Sequence, residues 1–164
     1  MKIGLVSDTH DRLPFIDRAV NKLNEENVEL VLHAGDYSAP FAAYRFKPLR
    51  AKMIGVFGNN DAERSMLQKN FKAIGADVHG KFAEIDVDEV KIALLHGDET
   101  SLLNSLINTN AFDVIVFGHT HQAEIRKEKE TLVVNPGEVC GYLSGKATIA
   151  LLDTQTLEVK LHEI

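Results

Sequence analysis

Lys2-Ile3-Gly4-Leu5-Val6-Ser7-Asp8-Thr9-His10 begins as an apolar run and ends in a carboxylate and an imidazole. The run reads as a buried strand and its polar tail as the loop that follows. Four later stretches repeat the pattern. Leu30–Leu32 runs into His33-Ala34-Gly35-Asp36, and Met53–Phe57 into Gly58-Asn59-Asn60-Asp61. Ile92–Leu95 runs into His96-Gly97-Asp98, and Val114–Phe117 into Gly118-His119-Thr120-His121. Ligands of open α/β sheets gather beyond the carboxyl ends of the strands. If these strands are neighbours, five loops bring Asp, Asn and His side chains to one place. Those are the donors a divalent cation takes when no thiolate is offered.

The segments between the runs carry a helical period. Phe15, Ile16, Ala19, Val20 and Leu23 form one apolar stripe within a helix expected over Pro14–Asn24, with Pro14 suited to the first turn. Met66, Leu67, Phe71 and Ile74 do the same within Ala62–Ile74, and a third helix is expected over Thr100–Asn108. Both stripes read as core packing. A shorter helix is expected over Phe41–Lys47, ahead of Pro48. Strands are expected over Lys2–Ser7, Glu29–His33, Ala51–Phe57, Phe82–Val87, Val90–Leu95, Asp113–Phe117, Ala123–Arg126, Thr131–Val134, Ala147–Leu152 and Leu157–His162. In the last of these Leu157, Val159 and Leu161 alternate with polar residues, which predicts one wet face. Strands and helices alternate in the first two-thirds and hairpins follow. That order points to an α/β protein with two sheets.

The chain has 164 residues, 45% hydrophobic and 26% charged. This suits one domain, residues 1–164, large enough for a real core. Eighteen basic against 24 acidic residues give a net charge of −6, which works against binding long nucleic acid but not against a small anion in a local field. The lone Cys140 excludes an internal disulfide and a thiolate-built zinc finger. The apolar N-terminal run reaches Ser7-Asp8 too soon for a signal peptide, and no run has the length of a membrane span, so a cytoplasmic protein is expected.

Asp8-x-His10 and His119-x-His121 are pairs two apart, which in extended chain point to one side. A single histidine is more often a packed residue than a ligand. Four of the seven, however, lie at strand ends in these motifs, beside a Gly-Asp and a Gly-Asn corner. His79 and His162 read as structural, and His33 as a core residue or a support for the site.

The ordered set Asp-x-His, Gly-Asp, Gly-Asn-x-Asp, His-Gly and Gly-His-x-His resembles the calcineurin-like metallophosphoesterase superfamily. The resemblance runs from Asp8 to about Gly141, and Asn135-Pro136-Gly137 is similar to a loop of its small prokaryotic phosphodiesterase branch. It implies a four-layer sandwich: two mixed β-sheets packed face to face and flanked by helices. It also implies two divalent metal ions, manganese first, with nickel, zinc, iron and cobalt as alternatives. One ion would take Asp8, His10, Asp36 and His121; the other would take Asp36, Asn59, His96 and His119, with Asp36 bridging. A metal-bridging hydroxide would attack a small phosphodiester, with His10, Asp36 and Asn60 in catalytic roles and Asn59 and Asn60 contacting substrate. The resemblance leaves a catalytically weak scaffold and a phosphomonoesterase as rival readings. It also leaves open whether the chain forms a homo-oligomer.

This chain departs from the common pattern at two positions. Many superfamily members carry histidine after the metal-binding asparagine, where Asn60 stands here. An amide can orient a phosphate but cannot act as a general acid. Asp98 stands where many relatives of the small branch carry a second histidine. Asp11 and Asp61 read equally as turn caps or as supports for the ligands. Arg12 and Tyr37 are candidates to face substrate. Cys140 reads as packed, since no motif supplies it a base.

Overall fold

The computed structural model describes all residues, Met1–Ile164. Eleven strands form two mixed sheets. The first sheet contains β1 (Lys2–Val6), β2 (Leu30–His33), β3 (Lys52–Gly55), β4 (Asp77–Val78), β10 (Thr148–Asp153) and β11 (Val159–Glu163), in the order β11-β10-β1-β2-β3-β4. β1 to β4 run parallel, and β10 and β11 close one side antiparallel. The second sheet contains β5 (Phe82–Val87), β6 (Val90–Leu95), β7 (Val114–Val116), β8 (Ala123–Glu128) and β9 (Thr131–Pro136), in the order β5-β6-β7-β9-β8. Its centre, β6-β7-β9, is parallel, and hairpins flank it.

Strand alternation sorts the apolar residues into three layers of core. Ile3 and Leu5 of β1, Leu30 and Leu32 of β2, and Ile92, Leu94, Val114 and Val116 of the second sheet meet between the sheets. Val6, Val31 and Met53 face the other way, onto α1 (Leu13–Glu25), α2 (Arg64–Ala73) and a 3-10 helix, Pro40–Phe46. Ala93, Leu95, Ile115 and Phe117 turn toward Leu103 of α3 (Thr100–Thr109). The layers are therefore helices, sheet, sheet, helix, as the resemblance implied. Gly4 lets α1 lie close on β1, because a Cβ there would stand 2.3 Å from Leu23 Cδ2.

Local differences from the sequence reading have physical causes. β4 has only two residues, too few to show an alternating pattern. Met66 keeps the helical period but is 46% exposed, so the buried face of α2 is Leu67, Asn70 and Phe71. β11 is an edge strand paired only with β10. Val159 packs on the core as expected, but Leu161 is 42% exposed and His162 half-buried, while Leu157 lies before the strand with left-handed backbone. The short helix expected over Phe41–Lys47 is the 3-10 helix Pro40–Phe46. No helix is long and apolar enough to cross a membrane.

Candidate metal centre

The five loops of the sequence pattern do meet. They leave β1, β2, β3, β6 and β7 at their carboxyl ends and are laced together through the backbone. Asp8 N donates to Gly35 O (3.0 Å), His10 N to Asp36 O (2.9 Å) and Gly118 N to His96 O (2.9 Å). Asp8, His10, Asp36, His119 and His121 all have φ between 44° and 68°. Left-handed backbone at a non-glycine residue costs on the order of 1–3 kcal/mol and persists only where surrounding contacts impose it. Here it turns the side chains inward. Gly118 permits the closest approach, since a Cβ on it would stand 1.8 Å from Ser7 Oγ and 2.7 Å from Asp8 Oδ2.

Two groups of donors result. The ligating atoms of Asp8, His10, Asp36 and His121 all lie within 4.8 Å of one another. Beside them, Asn59 Oδ1 is 3.0 Å from His96 Nε2 and 2.9 Å from His119 Nδ1. Asp36 Oδ2 lies 3.4 Å from His96 Nε2 and 3.8 Å from His10 Nε2, so one carboxylate reaches both groups.

The hydrogen bonds on the outer side of the rings decide what the inner side can do. His96 Nδ1 lies 2.8 Å from Ala34 O, a carbonyl that can only accept, so Nδ1 carries the proton. In the neutral ring Nε2 then presents a lone pair to the oxygens of Asn59 and Asp36. His121 Nδ1 donates to Glu138 Oε2 at 2.6 Å, which likewise leaves its Nε2 lone pair 3.3 Å from Asp8 Oδ1. That oxygen is buried and has no hydrogen-bond partner. Lone pairs facing lone pairs, around an orphaned buried carboxylate oxygen, fit cations between them. The pKa directions agree. Burial pushes the Asp8 carboxyl up, whereas at Asp36 the hydrogen bond and positive charge of His96 when it takes a second proton at Nε2, together with the hydrogen bonds of Asn60, outweigh burial and bring it down. His96 is raised despite burial because Asp36 and Asp8 draw a proton toward it. The cluster attracts positive charge.

The remaining candidates separate clearly. Asn60 Nδ2 donates to Asp36 Oδ2 (2.7 Å) and its backbone N to Asp36 Oδ1 (2.8 Å). Asp61 does not cap α2. Its Oδ1 accepts from Tyr37 N and Ser38 N, and its Oδ2 from Asp36 N and Gly58 N, all at 2.7–3.0 Å. It therefore fixes the backbone under Asp36. His33 is buried, accepts from Gly35 N at Nδ1 and donates from Nε2 to Thr9 Oγ1. Burial and the neighbouring His96 push it down to about 3, so it is a neutral brace. Asp11 is exposed and caps nothing, and Asp98 is turned away to Lys81 (3.6 Å). Tyr37 does not face the site. It is fully buried, with its ring 4.1 Å from that of His33 and 4.6 Å from that of Phe71.

Glu138, which the sequence reading did not single out, braces the cluster from behind. It is fully buried and accepts from His121, Cys140 Sγ (2.9 Å), Tyr142 N (3.0 Å), Leu143 N (2.9 Å), and Ser144 N and Oγ (2.5 and 2.8 Å). Burial works against its charge, but the hydrogen bonds from Cys140, His121 and Ser144 prevail and bring it to about 2. Cys140 is fully buried and so packed, as expected, and burial together with Glu138 pushes its thiol up. Asn135 joins the same scaffold, donating to Gly118 O and Thr120 Oγ1 beneath the His119–His121 turn.

A family model described as the calcineurin-like phosphoesterase superfamily domain matches residues 1–157. The chain belongs to the calcineurin-like phosphoesterase superfamily. Within that superfamily it is 42% identical over 161 residues to a phosphodiesterase of Methanocaldococcus jannaschii, covering 98% of this chain and 97% of the relative. The solved structure of an archaeal phosphodiesterase superposes with a TM-score of 0.96 at 40% identity, covering all of both chains. Vps29 from Chaetomium thermophilum shares the superfamily fold, with a TM-score of 0.74 at 16% identity over 100% of this chain and 97% of that one.

Proposed function

We propose that this chain is a metal-dependent phosphodiesterase acting on small phosphodiesters as one catalytic domain, residues 1–164, in the cytoplasm. The observation that carries the reading is the inward-facing lone pair of His121, fixed by Glu138 and aimed at the unpartnered Oδ1 of Asp8. Asp8, His10, Asp36 and His121 would hold one divalent ion and Asp36, Asn59, His96 and His119 a second. The nitrogen and oxygen donors suit manganese, with nickel, zinc, iron or cobalt as substitutes. When bound, such ions make water acidic enough to attack near neutral pH and offset charge on the phosphoryl oxygens.

The protein's own groups set the rest. Asp36 holds the two donor groups in one frame, and Asp61 holds Asp36. His10 is oriented by a 2.8 Å hydrogen bond between its Nδ1 and Ser38 Oγ. Asn59 and Asn60 are exposed at the mouth, where their amides can bind and orient a phosphate. Asn60 cannot supply a proton to a departing alkoxide, which favours esters whose leaving groups need none. The relatives named phosphodiesterases support the substrate class.

The test is hydrolysis of bis-p-nitrophenyl phosphate against p-nitrophenyl phosphate by chelator-treated protein, with and without manganese. Manganese-dependent turnover with the diester preferred is expected. Absence of turnover with manganese, nickel, zinc or cobalt would overturn the reading. Asn60→His should raise turnover of esters with basic leaving groups. Unchanged turnover of esters with basic leaving groups in that variant would contradict the role given to Asn60.

A further inference from the structure

Tyr142 is an aromatic ring displayed to solvent beside the cluster. It is 55% exposed, yet its backbone is held, since Tyr142 N, Leu143 N and Ser144 N all donate to the buried carboxylate of Glu138. The same carboxylate orients His121, so the ring and the metal centre share one rigid mount. The Tyr142 ring centroid lies 6.2 Å from that of His10 at a 42° tilt, and His10 stacks on His121 at 5.4 Å. The ring thus starts where the cluster ends.

Arg12 braces it. Its guanidinium carbon lies 5.2 Å from the Tyr142 ring centre and 3.8 Å from that of Phe15, and Nη1 donates to Cys140 O. That bond ties the loop after β1 to the loop carrying Tyr142. The guanidinium also places positive charge next to the ring, on the approach of an anion. Core packing explains none of this, because Tyr142 is 55% exposed with Arg12 over its ring, and Leu143 beyond it is 75% exposed.

We propose that Tyr142 is the platform on which a planar aromatic ester substituent of the substrate stacks while its phosphate occupies the metal cluster. The proposal rests on the phosphodiesterase reading and narrows it to aryl or nucleobase-bearing diesters. An aryl ester ring hangs one oxygen from phosphorus, so a phosphate beside His10 carries that ring onto Tyr142. Offset or tilted stacking at ring separations of about 4.5–7 Å is what an exposed ring offers, and an alkyl group cannot reproduce it.

Steady-state kinetics on the metal-loaded enzyme test the idea. With bis-p-nitrophenyl phosphate, Tyr142→Ala should raise KM by about fivefold or more, the lower end of what ring stacking contributes, with a smaller change in kcat. Tyr142→Phe should stay near wild type, because the ring face remains. Inhibition by inorganic phosphate, which has no ring, should be the same in all three. A second readout does not need turnover. In zinc-loaded protein with ring-labelled tyrosines, diphenyl phosphate should shift the Tyr142 resonance, which Tyr142→Phe removes, and diethyl phosphate should not. An unchanged KM in Tyr142→Ala, or a Tyr142 resonance unmoved by diphenyl phosphate, overturns the platform. A diester left unhydrolysed by wild type while diphenyl phosphate still moves the resonance supports the platform and sinks the hydrolase reading instead.

Discussion

His121 and His119 stand two residues apart on one loop, yet the half of the cluster around His121 is braced from behind and the half around His119 is open. On the first side Asp8 and His121 are buried, His121 is locked by Glu138, and His10 is tied to Ser38. On the second side His96 alone has an outer anchor, Ala34 O, while Asn59 and His119 are exposed and lean on each other at 2.9 Å. Outer hydrogen bonds orient ligating rings and raise their basicity, and losing one typically costs roughly 10–100-fold in metal affinity. The first side should therefore hold an ion more tightly, and the second should exchange it. Asp36 belongs to both, which is where the difference should vanish.

The largest effect expected is from Asp36→Ala, which removes the shared carboxylate. Phosphodiester turnover should fall to background and both metal affinities should drop together; a variant that lost only one would separate the two sides. Glu138→Ala should weaken the tighter site by roughly 10–100-fold and leave the looser one unchanged, as read by metal titration. Asp61→Ala strips the acceptor from four buried or half-buried N–H groups. Thermal or urea unfolding of the metal-free protein should show a loss of roughly 3 kcal/mol or more.

A smaller effect is a pH signature at Glu138. Its carboxyl sits at about 2 in the folded chain against an ordinary 4.5. A depressed carboxylate stabilises the fold fully above its unfolded pKa and loses that contribution as pH falls through its folded one. The melting-temperature gap between wild type and Glu138→Gln, both metal-free, should hold above about pH 4.5 and narrow toward pH 2. The smallest effect is at Cys140, whose buried thiol should resist iodoacetamide at pH 8 in the native protein and react once unfolded.

The gathering of Asp8, His10, Asp36, Asn59, His96, His119 and His121 was legible because each follows an apolar run by a fixed short step, and such loops must meet if the strands are neighbours. The sandwich was legible from the order of strands and helices together with those motifs. Glu138 was not, because nothing in Gly137-Glu138-Val139-Cys140 marks a carboxylate as buried. Its partners include backbone N–H groups four to six residues on and a histidine from another strand end. Tyr37 was misread for a related reason. It follows Asp36 in the loop after β2, but Phe71, distant in sequence, draws it into the core. In edge strand β11 Val159 packs on the core between the sheets as alternation predicts, but Leu161, on the same face, stays uncovered because nothing lies beyond the edge.

The most direct test is to strip the protein with chelator and titrate manganese while following both bound metal and hydrolysis of bis-p-nitrophenyl phosphate. Two ions per chain should bind, the first more tightly, with turnover appearing as the second is taken up and absent throughout in Asp36→Ala. Full turnover in the presence of chelator, or with one ion bound, would contradict the two-metal phosphodiesterase.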